Sequence, residues 1–216
     1  SRAMIITILL IILLLVVLGV GSSVRIIRQY ERGVVLRFGR LQETVRGPGI
    51  TAVIPAVDQL HKVTMQIVTM PVPAQEGITR DNVTVRVDAV LYFNVVDPAR
   101  AIVNVEDYLF AMGQVAQASL RSIIGKSELD DLLSNREQLN QGLEVMIDSP
   151  ALNWGVHIDR VEIKDVSLPE AMKRSIARQA EAERERRSRI ISADGEHQAS
   201  RKLSEAAHVM QDTPAA

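Results

Sequence analysis

The sequence predicts an α+β chain with an N-terminal transmembrane helix and a long C-terminal helix. Three observations lead there. Within the first 24 residues, the run from Met4 to Val20 is almost wholly aliphatic. Residues 25–168 then run from strand patterns to helical patterns and back to a strand, an order that favours one compact α+β domain. Finally, 169–210 form a proline-free charged stretch of helical composition, leaving 211–216 as a tail.

The anchor comes first. From Met4 to Val20 only Thr7 and Gly19 are not large aliphatics. These 17 residues reach about 25 Å as a helix, and Ala3 with Gly21–Ser23 brings the span close to a ~30 Å hydrocarbon core. Met4, Ile5, Ile8, Leu9, Ile12, Leu13, Val16 and Val20 are the expected lipid-facing residues. A cleaved signal peptide is the competing reading, with small residues at Gly21–Ser23. The apolar run exceeds an h-region of about 7–15 residues, and no A-x-A site follows, so a retained single-pass anchor is expected. Arg25, Arg28, Arg32, Arg37 and Arg40 follow it and only Arg2 precedes it, which predicts that the bulk of the chain is cytoplasmic.

Residues 25–70 read as β-rich. Gly33–Gly39 encloses a short strand, and Gly47-Pro48-Gly49 is a turn before Ile50–Ile54. The glycines lack the lysine and spacing of a phosphate-binding loop. A further strand is expected over Leu60–Val72, with Val63, Met65 and Ile67 on one face.

The clearest local pattern is Asn82–Val96. Its odd positions from Val83 to Val95 are all apolar, which is period 2 with one buried face. Val90, Tyr92 and Val96 on the other face imply partial cover there. Asp97-Pro98 ends the strand and opens a helix.

Residues 99–151 take a helical period. Ala111, Val115, Ala118 and Ile123 mark one stripe, with Leu109, Met112 and Leu120 beside it. Gly125 is expected to end this helix, and Ser127 to cap the next with Asp130 at N3. A third helix runs from Asn135 until Pro150 breaks it. Trp154–Val166 then returns as a strand whose alternation slips near Asp159–Arg160, the mark of a bulge.

Glu170–Met210 reads as a rod of roughly 60 Å. Ten of the 17 residues from Lys173 to Arg189 are charged, and Glu183–Arg187 and Glu185–Arg189 are i,i+4 pairs in the favoured order. The apolar stripe of Met172, Ile176 and Ala180 lapses until Ile190 and Ile191, too thin for a two-stranded coiled coil. Lateral packing between copies is expected through Ile176, Ala180, Ala182, Glu183, Arg187, Ile190 and Ile191. A solvated helix is the plainer alternative. Interleaved Glu181, Glu183 and Glu185 argue against a nucleic-acid face on Arg184–Arg189.

Composition narrows the chemistry. With no cysteine, the chain has no disulfide, thiolate metal site or thiol nucleophile. A net charge of −1 and seven aromatics disfavour nucleic-acid binding. His61, His157, His197 and His208 form no metal-ligand spacing, and no G-x-S-x-G occurs. No catalytic constellation and no cofactor are called for.

The order of the blocks is itself specific. An apolar segment precedes RQYERGVVLRFGR (28–40) and GPGITAVIPAVD (47–58). There follow TRDNVTVRVDAVLYFNVVDPARA (79–101), LRSIIGKSELDDLLSNRE (120–137) and the stretch from WGVHIDRVEIKDVSLPEAMKRS (154–175) to the charged helix. This order resembles the stomatin/slipin branch of the SPFH (stomatin, prohibitin, flotillin, HflK/C) superfamily over nearly the whole chain. The resemblance implies an SPFH (band 7) domain with an antiparallel sheet plus helices. It also implies a non-enzymatic scaffold that assembles with copies of itself into a ring or cage on membrane lipids. Such a scaffold organises a microdomain and holds partners such as NfeD-type membrane proteins or membrane proteases. A monomeric or dimeric adaptor recruiting a single partner is the alternative. Two departures stand out. Without cysteine there is no palmitoyl anchor, and no proline bends the apolar segment into a hairpin.

Overall fold

The computed structural model describes residues 2–212; the last four residues of the expected tail lie outside them. The chain divides into two compact units that meet at Ser167 and Leu168.

The first unit opens with helix α1 (Arg2–Ser23), followed without a linker by strand β1 (Val24–Ile27). Strands β2 (Glu31–Arg37), β3 (Arg40–Leu41), β4 (Gly49–Ala52) and β5 (Asp58–Thr64) follow. They form two small antiparallel sheets, β1–β4 and β3–β2–β5. The β2–β3 hairpin closes on Phe38 and Gly39, both at positive φ (49° and 76°). That is the pattern of a type I′ turn, which matches the strand twist and explains why a glycine stands at this point.

The expected long strand over Leu60–Val72 is two strands. β5 ends at Thr64, and β6 (Val68–Ile78) begins in a different sheet. Val63 is buried as expected, but Ile67 is 58% exposed in the crossing segment. Alternation cannot mark such a crossing, because each side of it keeps period 2.

The third sheet, β6–β7–β8, holds the core. β7 (Thr84–Val95) lies between β6 and β8 (Val156–Ser167), both antiparallel to it. Every odd residue of β7 from Val85 to Val95 is buried, and Leu91 and Phe93 are wholly enclosed. On β8 the ladder steps from Tyr92↔Arg160 to Phe93↔Ile158, leaving Asp159 as the extra residue of the expected bulge.

Of helices α2 (Pro98–Val103), α3 (Tyr108–Lys126), α4 (Leu129–Ser134) and α5 (Arg136–Leu152), α3 covers this sheet at β6 and α5 at β8, while α2 lies against β2 and α4 against α5. The buried face of α3 is Met112, Ala116, Ser119, Leu120, Ile123 and Ile124, while Ala118 is exposed. Leu109 and Phe110 are exposed as well, so the face is fixed by what packs against β6 rather than by the apolar stripe alone. Asp97 and Asp107 cap α2 and α3 through Arg100 N–H and Phe110 N–H.

Two helix boundaries differ from expectation. α3 runs through Gly125, and Ser127 ends it rather than starting α4; its buried hydroxyl donates to the Ile123 carbonyl at 2.7 Å. Glu128 is the residue that caps α4, and the Asp131 carboxylate accepts from Glu128 N–H at 3.0 Å. Nor does Pro150 break α5, which continues to Leu152. Proline removes a single donor there, while Ile147 and Ala151 hold the last turn in the core.

α5 also closes the outer edge of β8. Asn140 accepts from Ile163 N–H (2.9 Å), and Asp148 accepts from Ile158 N–H (3.1 Å). An edge strand satisfied in this way offers fewer free donors to another chain.

The second unit is a single helix, α6 (Glu170–Asp212), 43 residues long. It continues unbroken through Gly195.

Candidate functional site

Two surfaces carry the expected functional residues: α1 and the seam where it enters the domain, and α6. α1 is 22 residues, about 33 Å of helix, and none of it is buried. Met4, Ile5, Ile8, Leu9, Ile12, Leu13, Val16 and Val20 are each at least half exposed. Side chains from Met4 to Val20 face outward all round the helix, as in a lipid-facing span and unlike a soluble amphipathic helix. Two of its hydroxyls are satisfied within the helix, Thr7 donating to the Ala3 carbonyl (2.7 Å) and Ser22 to the Gly19 carbonyl (3.0 Å). In hydrocarbon, an unsatisfied polar group costs several kcal/mol. By length and composition, α1 is a helix able to cross a membrane.

The exit from α1 is fastened. Ser23 donates its hydroxyl to the Val53 carbonyl (2.7 Å), and Val53 N–H donates to the Ser23 carbonyl (2.8 Å). β1 then pairs with β4 in the register Arg25↔Thr51 and Ile26↔Ile50. Ile26 and Ile50 are 66% and 79% exposed, an apolar pair three residues beyond the end of α1. This arrangement was not foreseen from sequence. Its partners are about thirty residues apart, and nothing local to Val53 signals a role.

Between β2 and β5, Arg37 holds Asp58 with two hydrogen bonds, Nε to Oδ1 at 2.8 Å and Nη2 to Oδ2 at 3.1 Å. The Asp58 side chain is fully covered and also accepts from Ile54 N–H at 3.1 Å. These bonds, Arg37 foremost, hold the carboxyl below the usual carboxylate range, although burial opposes them. The pair braces the 54–58 loop, where Ala56 sits at φ 66°. Pro55 and Ala56 occupy the two central positions of a turn closed by Val57 N–H to the Ile54 carbonyl (3.3 Å). That is the type II pattern, which ordinarily places glycine where Ala56 stands.

On α6, no residue is buried. Ile176, Ala180, Ala182, Ile190 and Ile191 are exposed, and Glu183 is half-exposed. Glu183 accepts from Arg186 (3.0 and 3.1 Å) and Arg187 (3.2 Å), and Glu185 pairs with Arg189. The two expected i,i+4 pairs thus form within the helix itself. The Arg186 and Arg187 hydrogen bonds lower the Glu183 pKa.

The histidines are scattered. His61 and His157 lie on β5 and β8, and His197 and His208 on α6. His157 Nδ1 is 3.4 Å from Asp148, whose main duty is the β8 edge. Among the described residues, no cluster of three or more His, Cys, Asp or Glu side chains suits a metal ion.

The sequence matches the SPFH domain / Band 7 family over residues 25–197. Over 199 residues it is 54% identical to a protein of Archaeoglobus fulgidus, covering 92% of this chain and 80% of that one. It is 47% identical to a stomatin homolog of Pyrococcus horikoshii over 206 residues, covering 95% and 77%. A mouse stomatin-like protein 3 is 40% identical over 200 residues, covering 92% and 70%. With strand order, bulge and helical cover already described, this match makes the chain a member of the SPFH domain / Band 7 family, similar throughout to stomatin homologs.

Proposed function

We propose that this protein is a non-enzymatic, single-pass membrane scaffold whose copies assemble into a ring or cage. The observation that carries the reading is α6: 43 residues of helix with no buried side chain, although its first half carries ordered Glu–Arg pairs. An isolated helix gains little beyond such pairs, each worth about 0.2–0.5 kcal/mol. Contact with neighbouring copies supplies the burial that one chain lacks, and heterologous contacts that close by rotation make rings.

In this reading Ile176, Ala180, Ala182, Ile190 and Ile191 pack between adjacent helices. Glu183 and Arg187 then exchange part of their intrahelical pairing across the contact. α1 holds each copy in the bilayer, and the arginines after it favour the cytoplasmic side. A closed wall of such copies surrounds a patch of lipid. It holds or regulates membrane proteins within, NfeD-type proteins and membrane proteases being the partner classes that suit it. Nucleic acid is not a partner. Kinship with stomatin homologs supports the scaffold role.

The test is the size of the full chain in nanodiscs, by light scattering and single-particle imaging. Large closed particles are expected. A monomer or dimer at every concentration would overturn the ring and favour a simple adaptor.

A further inference from the structure

Where α1 meets the domain there is a cleft of about 530 Å³. Ser22 of the last helical turn, Arg25 of β1, Lys62 of β5 and the Ile54–Ala56 loop line it, with Asp58 at its side. We propose that this cleft binds the headgroup of an anionic phospholipid, one per chain, gripped by Arg25 and Lys62.

Charge carries the argument first. Three ionisable side chains line the cleft, and the single acid among them is already committed. Asp58 is fully covered and held by Arg37 and the Ile54 amide. Among the described residues, neither Arg25 nor Lys62 has an ion-pair partner, and both are exposed. The cleft therefore presents two uncompensated cations to whatever enters it. A phosphate diester bound between a guanidinium and an ammonium forms charge-assisted hydrogen bonds, about twice as strong as neutral ones.

Depth selects the lipid. Arg25 lies two residues beyond the end of α1, so its Cα is within about 7 Å of the helix terminus. The headgroup layer on each side of a ~30 Å core is about 5–8 Å thick. The Ser23–Val53 bonds keep β1 and the start of the cleft loop at the helix end, which places Arg25 in that layer, and Lys62 lines the same cleft from β5. Acyl chains of the same lipid would lie along the exposed aliphatics of α1. A zwitterionic headgroup fits less well, since its ammonium group would be pressed toward Arg25 and Lys62. Ala56, at φ 66°, is part of the same wall; backbone strain at a ligand-facing turn is in keeping with such a site.

This inference rests on the reading of α1 as the membrane span, and its test separates the two. The full chain is reconstituted in nanodiscs of equimolar phosphatidylglycerol and phosphatidylcholine, and flotation with the lipid reports insertion. Native mass spectrometry then counts the lipids retained after release. Phosphatidylglycerol is expected to be retained about tenfold over phosphatidylcholine, because both offer the phosphate but only the choline ammonium is repelled by the two cations. R25Q/K62Q should insert equally and lose that preference, while R25K/K62R should keep most of it. Millimolar inorganic phosphate should leave retention unchanged, because the acyl chains anchor the ligand. A preference that survives in R25Q/K62Q, or that phosphate abolishes, overturns the headgroup site and leaves the span intact. Failure of the wild-type chain to float with lipid overturns both.

Discussion

Ser23 and Val53 exchange two hydrogen bonds, one from a hydroxyl and one from a backbone amide, at the point where α1 becomes β1. A helix long and apolar enough to cross a membrane is thereby joined to a folded domain without a flexible linker. In the proposed scaffold, a domain fixed in this way would keep a defined tilt to the bilayer, as a closed wall of copies requires.

Removing the side-chain half of this fastening should loosen the ribbon. Ser23→Ala leaves the Val53 carbonyl unpartnered by the hydroxyl, at a cost of about 1 kcal/mol. Hydrogen exchange of the full chain in nanodiscs should show faster exchange at Val24–Ile27 and at Val53, with β7 unchanged. Equal rates in both proteins would mean that the backbone bond alone holds the seam.

Two positive-φ residues should respond in opposite senses. At Gly155, φ is 67°, and an added Cβ would overlap the Asp97 carbonyl. Gly155 also accepts from Val96 N–H (2.8 Å) and Asp97 N–H (3.0 Å). Gly155→Ala should therefore lose about 2 kcal/mol or more. Ala56→Gly should gain up to about 1 kcal/mol, relief of left-handed strain outweighing the entropy of the unfolded chain. Denaturant midpoints in detergent check both signs.

Asp58 predicts the acid limb of stability. Its folded pKa is depressed, so its contribution is fully present above the ordinary carboxylate value of about 3.9 and is lost as pH falls through the folded value. Asp81, held by the Thr79 hydroxyl, and Asp131, held by Glu128 N–H, act in the same sense. Stability contributed by these groups should be flat from about pH 5 to 8 and fall below about pH 4. Asp58→Asn should be less stable at neutral pH and show a shallower acid limb. An unchanged slope would remove Asp58 from this account.

Assembly should depend on the small residues of α6. Ala180→Glu with Ala182→Glu adds bulk and negative charge where close packing is proposed. Particle size in nanodiscs should fall, while the thermal transition of residues 25–167 stays within about 2 °C of wild type, since surface changes usually cost under about 0.5 kcal/mol. Unchanged particle size would exclude this face.

Much of the molecule was legible from local pattern. The burial of Val85 to Val95 follows from strict alternation, and the Asp159 bulge from a break in it. Where several side chains competed for one contact, pattern was weaker. Ser127 could cap one helix or end another, and only the Ile123 carbonyl beside it decided. The face of α3 turned on its packing against β6: Ala116 and Ser119 are buried there while Leu109 and Phe110 are exposed.

By itself, the sequence determined the apolar N-terminal helix, the α+β order, the charged C-terminal helix and the family. Each rests on composition or period over ten or more residues, where local physics sums to a strong preference. Tertiary structure alone decided that the run over Leu60–Val72 changes sheets at Met65–Ile67 and that Ser23 meets Val53. It also decided that Asp58 is spent on Arg37, leaving Arg25 and Lys62 unpaired in one cleft. Those relations join residues distant along the chain, and a pairing between distant residues leaves no periodic trace in either of them.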